Sequence, residues 1–238
     1  MDTLGIKVIA CATVIEEVQP LLPPNVTTEV LDFGLHLTPD KLREALQQAI
    51  DRNCEEADTL ILGYGLCSMA VVGLTARQCT LVVPRVDDCI AIFLGSQAAY
   101  REQSGREPGT YYLTKGWIEV SDTPLTEYKR LVEKYGQERA DRVMTMMFQH
   151  YTRLAYIDTG HIDQERCRQF ARQNAEKLDL RYEEIPGDLD LIRKMINGPW
   201  DDDFVVVGPG ESITFEDFKQ KGASTDQNGR SLNWKGAL

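Results

Sequence analysis

Short aliphatic runs, each closed by a polar or glycine-containing turn, alternate with amphipathic stretches along most of this chain. No other feature limits its fold as tightly. The runs are IKVIACA (6–12), TTEVLDFG (27–34), DTLIL (58–62) and CTLVVPR (79–85), followed by RLAYIDTG (153–160), RYEEIPG (181–187) and DDFVVVGPGES (202–212). They are short and rich in β-branched residues, so they read as buried strands. Helical patterns lie between them, over 13–22, 39–53, 88–102, 163–180 and 188–198. In the second of these, Leu42, Ala45, Leu46, Ala49 and Ile50 share one face, and Thr38-Pro39 opens the helix. Alternation at this spacing predicts an α/β fold with mostly parallel sheets, right-handed crossovers and helices on both faces.

The pattern occurs twice. IKVIACATVIEE matches RLAYIDTGHIDQE, TEVLDFGLHLTPDKLREAL matches RYEEIPGDLDLIRKM, and ADTLILGYGLCS matches DDFVVVGPGESI. Two related Rossmann-like lobes are the expectation, a first over 1–102 and a second over 153–215. Residues 103–152 connect them, and 216–238 form a polar tail without pattern. The connection starts with SGREPGTYYLTKGWIEVSDTP, rich in Gly, Pro and aromatics, which reads as a loop or small hairpin able to act as a lid. Two helices follow, separated at Gly136.

The net charge of −11 over 238 residues repels nucleic acid and anionic membrane surfaces, so neither is expected as a partner. No apolar run is long enough to span a bilayer. The opening MDTLGIKVIACATV lacks a basic segment and a small-residue cleavage site, and it reads as a strand. A cytoplasmic location with reduced thiols is the resulting expectation.

Ligands of open parallel sheets bind beyond the C-terminal ends of the strands. Cys11 follows the first strand, His36 the second and Cys67 the third; Arg85, Asp87, Asp88 and Cys89 follow the fourth. Three thiols and an imidazole on one sheet edge suit Zn²⁺ or a 4Fe–4S cluster, with Cys11, His36, Cys67 and Cys89 as ligands. The plain alternative is buried inert thiols, with His36 capping the next helix. Cys54, Cys79 and Cys167 read as packing residues. Gly63 and Gly65 let backbone approach a ligand closely, and Arg85 offers a partner for an anionic group, as does the turn carrying Gly208 and Gly210. Tyr111, Tyr112 and Trp117 can cover a flat substrate or simply pack a hairpin. Asp158, Thr159 and His161 end the fifth strand; His161 reads as a solvated loop residue and His150 as a helix-face residue. There is no dinucleotide fingerprint, Walker lysine, nucleophile elbow or HExxH motif.

The segments IAC (9–11), GLHLTPDKL (34–42), LGYGLCSMAVVGL (62–74), VPRVDDCIAIFLGS (83–96), GTYYLTKGWIE (109–119) and YIDTG (156–160) together resemble the DUF1638 domain family of anaerobic bacteria and methanogenic archaea. The resemblance runs from about residue 5 to about 215. It implies that Cys11, His36, Cys67 and Cys89 occupy motif positions. Many members carry His-Asp-Cys where this chain has Asp87-Asp88-Cys89, which leaves Asp87 as a substitute ligand. It also implies an association with corrinoid methyltransferase systems and one-carbon metabolism. Three functions stay open: a metal-dependent enzyme acting on a small molecule, a non-catalytic protein binding a small molecule or a methyltransferase partner, and a metal-free thiol enzyme.

Overall fold

The computed structural model describes residues 5–121, 123–161 and 164–219. Two sheets organise them. In the larger, β1 (Gly5–Cys11) lies between β2 (Thr27–Leu31) and β3 (Ala57–Gly63), and β3 pairs with β4 (Thr80–Pro84), all parallel. β8 (Phe204–Val207) closes the far edge antiparallel to β4. The order β2-β1-β3-β4-β8 sends the chain outward on one side of β1 and back on the other. This reversal opens a crevice at the C-terminal ends of β1 and β3. Val8 to Ala10, Leu60 to Leu62 and Leu81 to Val83 are fully buried, as expected of strands covered on both faces.

The smaller sheet is β5 (Thr110–Leu113), β6 (Arg153–Asp158) and β7 (Arg181–Pro186), all parallel in that order. Around the sheets pack α1 (Ala12–Val18), α2 (Pro39–Asn53), α8 (Glu165–Lys177) and α9 (Asp190–Asn197). The architecture is therefore α/β, as the alternation of strand and helix patterns predicted.

Three expectations need correction. The helix read over 88–102 is two helices, α3 (Cys89–Phe93) and α4 (Gln97–Arg106). Gly95, at φ +80°, breaks it, and Ser96 caps the second piece by accepting a hydrogen bond from the Ala99 N–H. The segment read as a lid or hairpin contributes β5, whose partner β6 is parallel and some forty residues distant, and then α5 (Lys115–Val120). The helices α6 (Pro124–Tyr135) and α7 (Gln137–Phe148) follow, separated at Gly136 with φ +78° as expected. Finally, β8 was matched to β3 as the third strand of a repeat, yet it joins the first sheet, and antiparallel. The 216–238 tail falls outside the described residues beyond Lys219; residues 215–218 form one turn of 3₁₀ helix.

Cys54 and Cys79 also differ from the reduced state expected of them. They join the end of α2 to the start of β4 as a disulfide, with Cα atoms 5.2 Å apart. This lies at the opposite edge of the sheet from Cys11.

Candidate functional site

The crevice at the C-terminal edge of the larger sheet is built by close contact between two strand-end loops. Gly65 is where they touch. A Cβ there would stand 2.7 Å from the Val86 carbonyl oxygen and 2.8 Å from the Asp88 nitrogen. With no side chain in the way, the Leu66 N–H donates to Val86 O at 2.9 Å and the Cys67 N–H to Asp87 O at 3.0 Å. The loop after β3 is thereby stitched to the loop after β4, which carries Cys89. Gly63 has a different neighbour: its Cβ would meet the Ala10 Cβ at 2.7 Å, so it allows the end of β3 to approach β1.

Directly after this seam the backbone turns left-handed through Cys67 (φ 43°), Ser68 (φ 57°) and Met69 (φ 72°), closed by the Ala70 N–H donating to Cys67 O at 3.2 Å. Side-chain-bearing residues pay about 1–3 kcal/mol each for such a conformation. Consecutive left-handed residues other than glycine occur where the surroundings impose them.

Cys11 caps β1 at the start of α1, with its Sγ 2.9 Å from the Thr13 hydroxyl. Cys89 is the first residue of α3, whose N-cap Asp88 accepts from the Ile90 N–H at 2.9 Å. Burial pushes the Cys11 thiol up despite the Thr13 hydrogen bond. It pushes Cys67 and Cys89 up too, and Cys11 and Asp88 add to the effect on both. Tyr64, 1% exposed, is pushed well up first by burial and then by Cys11, Cys67 and Cys89 together. All three thiols thus lie near enough to Tyr64 to disfavour its ionisation.

Two buried polar atoms there have no hydrogen-bond partner among the described residues: the Tyr64 hydroxyl and His36 Nε2. His36 Nδ1 lies 3.0 Å from the Phe33 carbonyl oxygen, to which only a protonated Nδ1 can hydrogen-bond. Burial holds the imidazole below its usual pKa, so Nε2 presents a lone pair. The ring stacks on Tyr64 at 5.8 Å and on Phe33 at 5.1 Å between centroids, and Phe33 meets Trp117 edge-on. An orphaned buried acceptor costs stability unless a ligand satisfies it.

Above this cluster opens a cavity of about 700 Å³. His36, Cys67 and Cys89 line it, and so do Tyr111 and Trp117 from the segment after α4. These five, all singled out in the sequence, line one cavity, as does Tyr112. His150, read as a plain helix-face residue, also lines it. Asp88 lines it as well, with its carboxyl pushed up mainly by burial.

Other expected residues lie elsewhere. The Arg85 guanidinium donates to the carbonyls of Asp202 and Phe204 at 2.9 Å each, pinning β8 to β4. Asp87 exchanges two hydrogen bonds with the Gln97 amide, 2.8 Å from its N–H and 2.7 Å from its carboxylate. Gly208 and Gly210 sit at the opposite edge, because β8 runs antiparallel; the Gly210 N–H donates to Ala76 O at 2.9 Å. Thr159 is buried and Asp158 pairs with Arg168 at 2.6 Å, while His161 pairs with the buried Glu17 at 2.6 Å. Cys167 is buried beneath the smaller sheet. Among the described residues, no three His, Cys, Asp or Glu side chains converge to the distances of a single metal ion. Sequence reasoning missed Phe33, Tyr64 and Tyr100, although Tyr64 is the middle residue of the Gly63-Tyr64-Gly65 hinge.

The model of the family described as "Protein of unknown function (DUF1638)" matches residues 30–196, well over half of the chain. The chain belongs to the DUF1638 family. No curated protein and no solved structure matches it. The DUF1638 match takes in His36, Cys67 and Cys89, the cavity-lining residues Tyr111 and Trp117, and all of the smaller sheet. Cys11 precedes the matched residues.

Proposed function

We propose that Cys11, Cys67 and Cys89 hold a metal centre at the base of a small-molecule cavity, with His36 Nε2 as a further ligand. The supporting observation is that three thiols at neighbouring strand ends of one sheet edge lie near Tyr64, whose hydroxyl, like His36 Nε2, is buried without a partner among the described residues. Among the described residues nothing hydrogen-bonds these two atoms, and a bound cation would stabilise the thiols as thiolates. The Nδ1 contact with a backbone carbonyl is the arrangement that orients a ligating histidine.

A cluster fits better than a lone Zn²⁺. Tetrahedral zinc needs four donors each about 2–2.3 Å from one point. Here no three side chains converge in that way among the described residues, yet Cys89 is influenced by both Cys11 and Cys67. In a 4Fe–4S cluster each cysteine binds its own iron, so the sulfurs stand further apart. Three cysteines leave one iron for His36 or for a substrate entering from the cavity. A place beside a corrinoid methyltransferase system, as the family resemblance implies, is compatible with such a centre. A cytoplasmic location belongs to the same proposal, and no helix among the described residues is long and apolar enough to cross a membrane.

The test is anaerobic purification, metal analysis and visible and electron paramagnetic resonance spectra, on wild type and on Cys67→Ser. Stoichiometric iron lost in a folded Cys67→Ser protein supports the reading. Colourless, metal-free wild type from iron- and zinc-replete cells overturns it. A second reading, a metal-free binding protein, is favoured by the same lack of convergence on one ion. It expects ligand binding by that metal-free protein.

A further inference from the structure

Exposed apolar side chains are concentrated in one part of the surface. Nine large hydrophobic side chains are exposed among the described residues, and four of them line a single groove of about 1160 Å³: Val30, Leu37, Val120 and Met147. They come from two parts of the fold. β2 and the turn after it give Val30 and Leu37, whereas α5 and α7 give Val120 and Met147. Single exposed apolar residues need no explanation, but a contiguous apolar concavity marks a place where something binds.

The charged groups of the groove are already committed. Glu119 accepts from Lys115 at 2.7 Å and from Arg166 at 2.9 Å, and Glu127 pairs with Arg130. Asp32 accepts from the Gly34 N–H at 2.7 Å. What the groove leaves free is apolar surface.

The groove is continuous with the cavity above the thiols, because Phe33, Tyr111 and Met147 line both. A molecule leaving the cavity past these three side chains enters the groove. No lysine or arginine lines the cavity, and the groove's Arg130 is held by Glu127, so neither part is built to receive a phosphate or carboxylate. One long, mainly apolar molecule fills such a joined concavity, and a partner surface laid over the groove leaves the cavity unfilled.

From this juxtaposition we propose that groove and cavity form one elongated site for a molecule with a long apolar chain of the acyl or prenyl kind, the chain lying against Val30, Leu37 and Met147 and the other end reaching the cavity past Phe33 and Tyr111. The inference rests on reading the cavity as a small-molecule chamber, and it is independent of whether a metal occupies the thiols beneath.

The 1-alkanols from hexanol to decanol serve as uncharged probes. Calorimetric titration of the full chain should show affinity rising about threefold to fourfold per added methylene. Val30→Glu and Met147→Glu, each checked for folding by circular dichroism, should weaken decanol at least tenfold, while Met147→Leu should bind it as wild type does. Val206→Glu makes the same change at an exposed valine on β8, at the far edge of the sheet, and should leave decanol binding unchanged. Trp117 lines the cavity and not the groove, so decanol should change its emission, read as the difference between wild type and Trp117→Phe. Affinity independent of chain length, an equal loss in Val206→Glu, or Trp117 emission unmoved by bound decanol would each overturn the proposal. So would a wild-type dimer that Met147→Glu splits, which gives the groove to a second copy, or vesicle binding that Met147→Glu abolishes, which gives it to a membrane surface. The same titration on metal-free Cys67→Ser separates this site from the metal centre. Chain-length dependence retained there supports the chain site without the metal. Metal present in wild type without chain-length dependence sinks the chain site alone.

Discussion

Gly65→Ala tests whether the meeting of two strand-end loops builds the site. Gly65 has no left-handed backbone, so alanine suits its conformation and only space is at issue. The added methyl would lie 2.7 Å from Val86 O, 2.8 Å from Asp88 N and 2.9 Å from Asp88 Cα. All three are backbone atoms, which cannot swing aside as a flexible side chain would. Relief requires the two loops to separate, which stretches the Leu66–Val86 and Cys67–Asp87 hydrogen bonds. Overpacking of this kind costs about 1–3 kcal/mol, and each backbone hydrogen bond about 1 kcal/mol. A loss near 3 kcal/mol lowers the melting temperature by about 6–12 °C in a chain of this size. The same separation carries Cys67 away from Cys89, so the proposed metal centre predicts a fall in metal content along with stability. Gly105→Ala is the internal control, because its Cβ meets nothing within 4 Å and it lies in α4. Alanine there should raise stability by about 0.5–1 kcal/mol. Differential scanning fluorimetry with metal analysis reads both. A Gly65→Ala protein that melts within a degree of wild type and keeps its metal would refute the reasoning.

Two more outcomes are expected. His161 is raised above its usual pKa chiefly by its hydrogen bond to Glu17, which is buried on α1. A raised histidine stabilises fully below its unfolded value, near 6.5, and loses that contribution as pH climbs through the folded value. Melting temperature should therefore fall with pH above about 6.5, more steeply in wild type than in His161→Gln; parallel slopes would contradict the pairing. Ser68, exposed at φ 57°, should accept glycine with a gain of about 0.5–1 kcal/mol, opposite in sign to an ordinary Ser→Gly change. A chemical-denaturation midpoint lower than wild type would show that the left-handed turn is not strained.

What the sequence made legible followed from local rules. Strand and helix periodicity needs only neighbours in the chain, so β1 to β4 and α2 were readable, and with them the edge that gathers Cys11, Cys67 and Cys89. What it hid depended on distant partners. TYYL became β5 because β6 lies beside it in parallel, a pairing with no turn to announce it. FVVV has the same composition whichever sheet it joins, and only Arg85 reaching the carbonyls of Asp202 and Phe204 reveals that β8 belongs with β4. Arg85 was expected at a ligand because it follows a strand; that position says which edge a residue occupies and not where its side chain turns. The disulfide was hidden for the same reason, since Cys54 and Cys79 are separated by 25 residues with no motif joining them.

The two glycines of the Gly63-Tyr64-Gly65 hinge turn out to serve the thiols by what they omit. Gly63 lets β3 close on Ala10, the neighbour of Cys11, and Gly65 lets the following loop rest on the backbone beside Cys89. Between them Tyr64 is buried, and its hydroxyl has no partner among the described residues. A fold seeking only stability would place an aliphatic side chain there, since an unsatisfied buried hydroxyl costs about 1–3 kcal/mol. It would also avoid three successive left-handed residues at the turn that carries Cys67. Two independent penalties, one in hydrogen bonding and one in backbone conformation, fall within six residues of each other and on the same side of the sheet. Such costs gather where geometry is held for a ligand. The strain at Cys67 and the orphaned groups of Tyr64 and His36 therefore argue for an occupied site more strongly than the cysteines do, because a buried thiol by itself is an ordinary small hydrophobe.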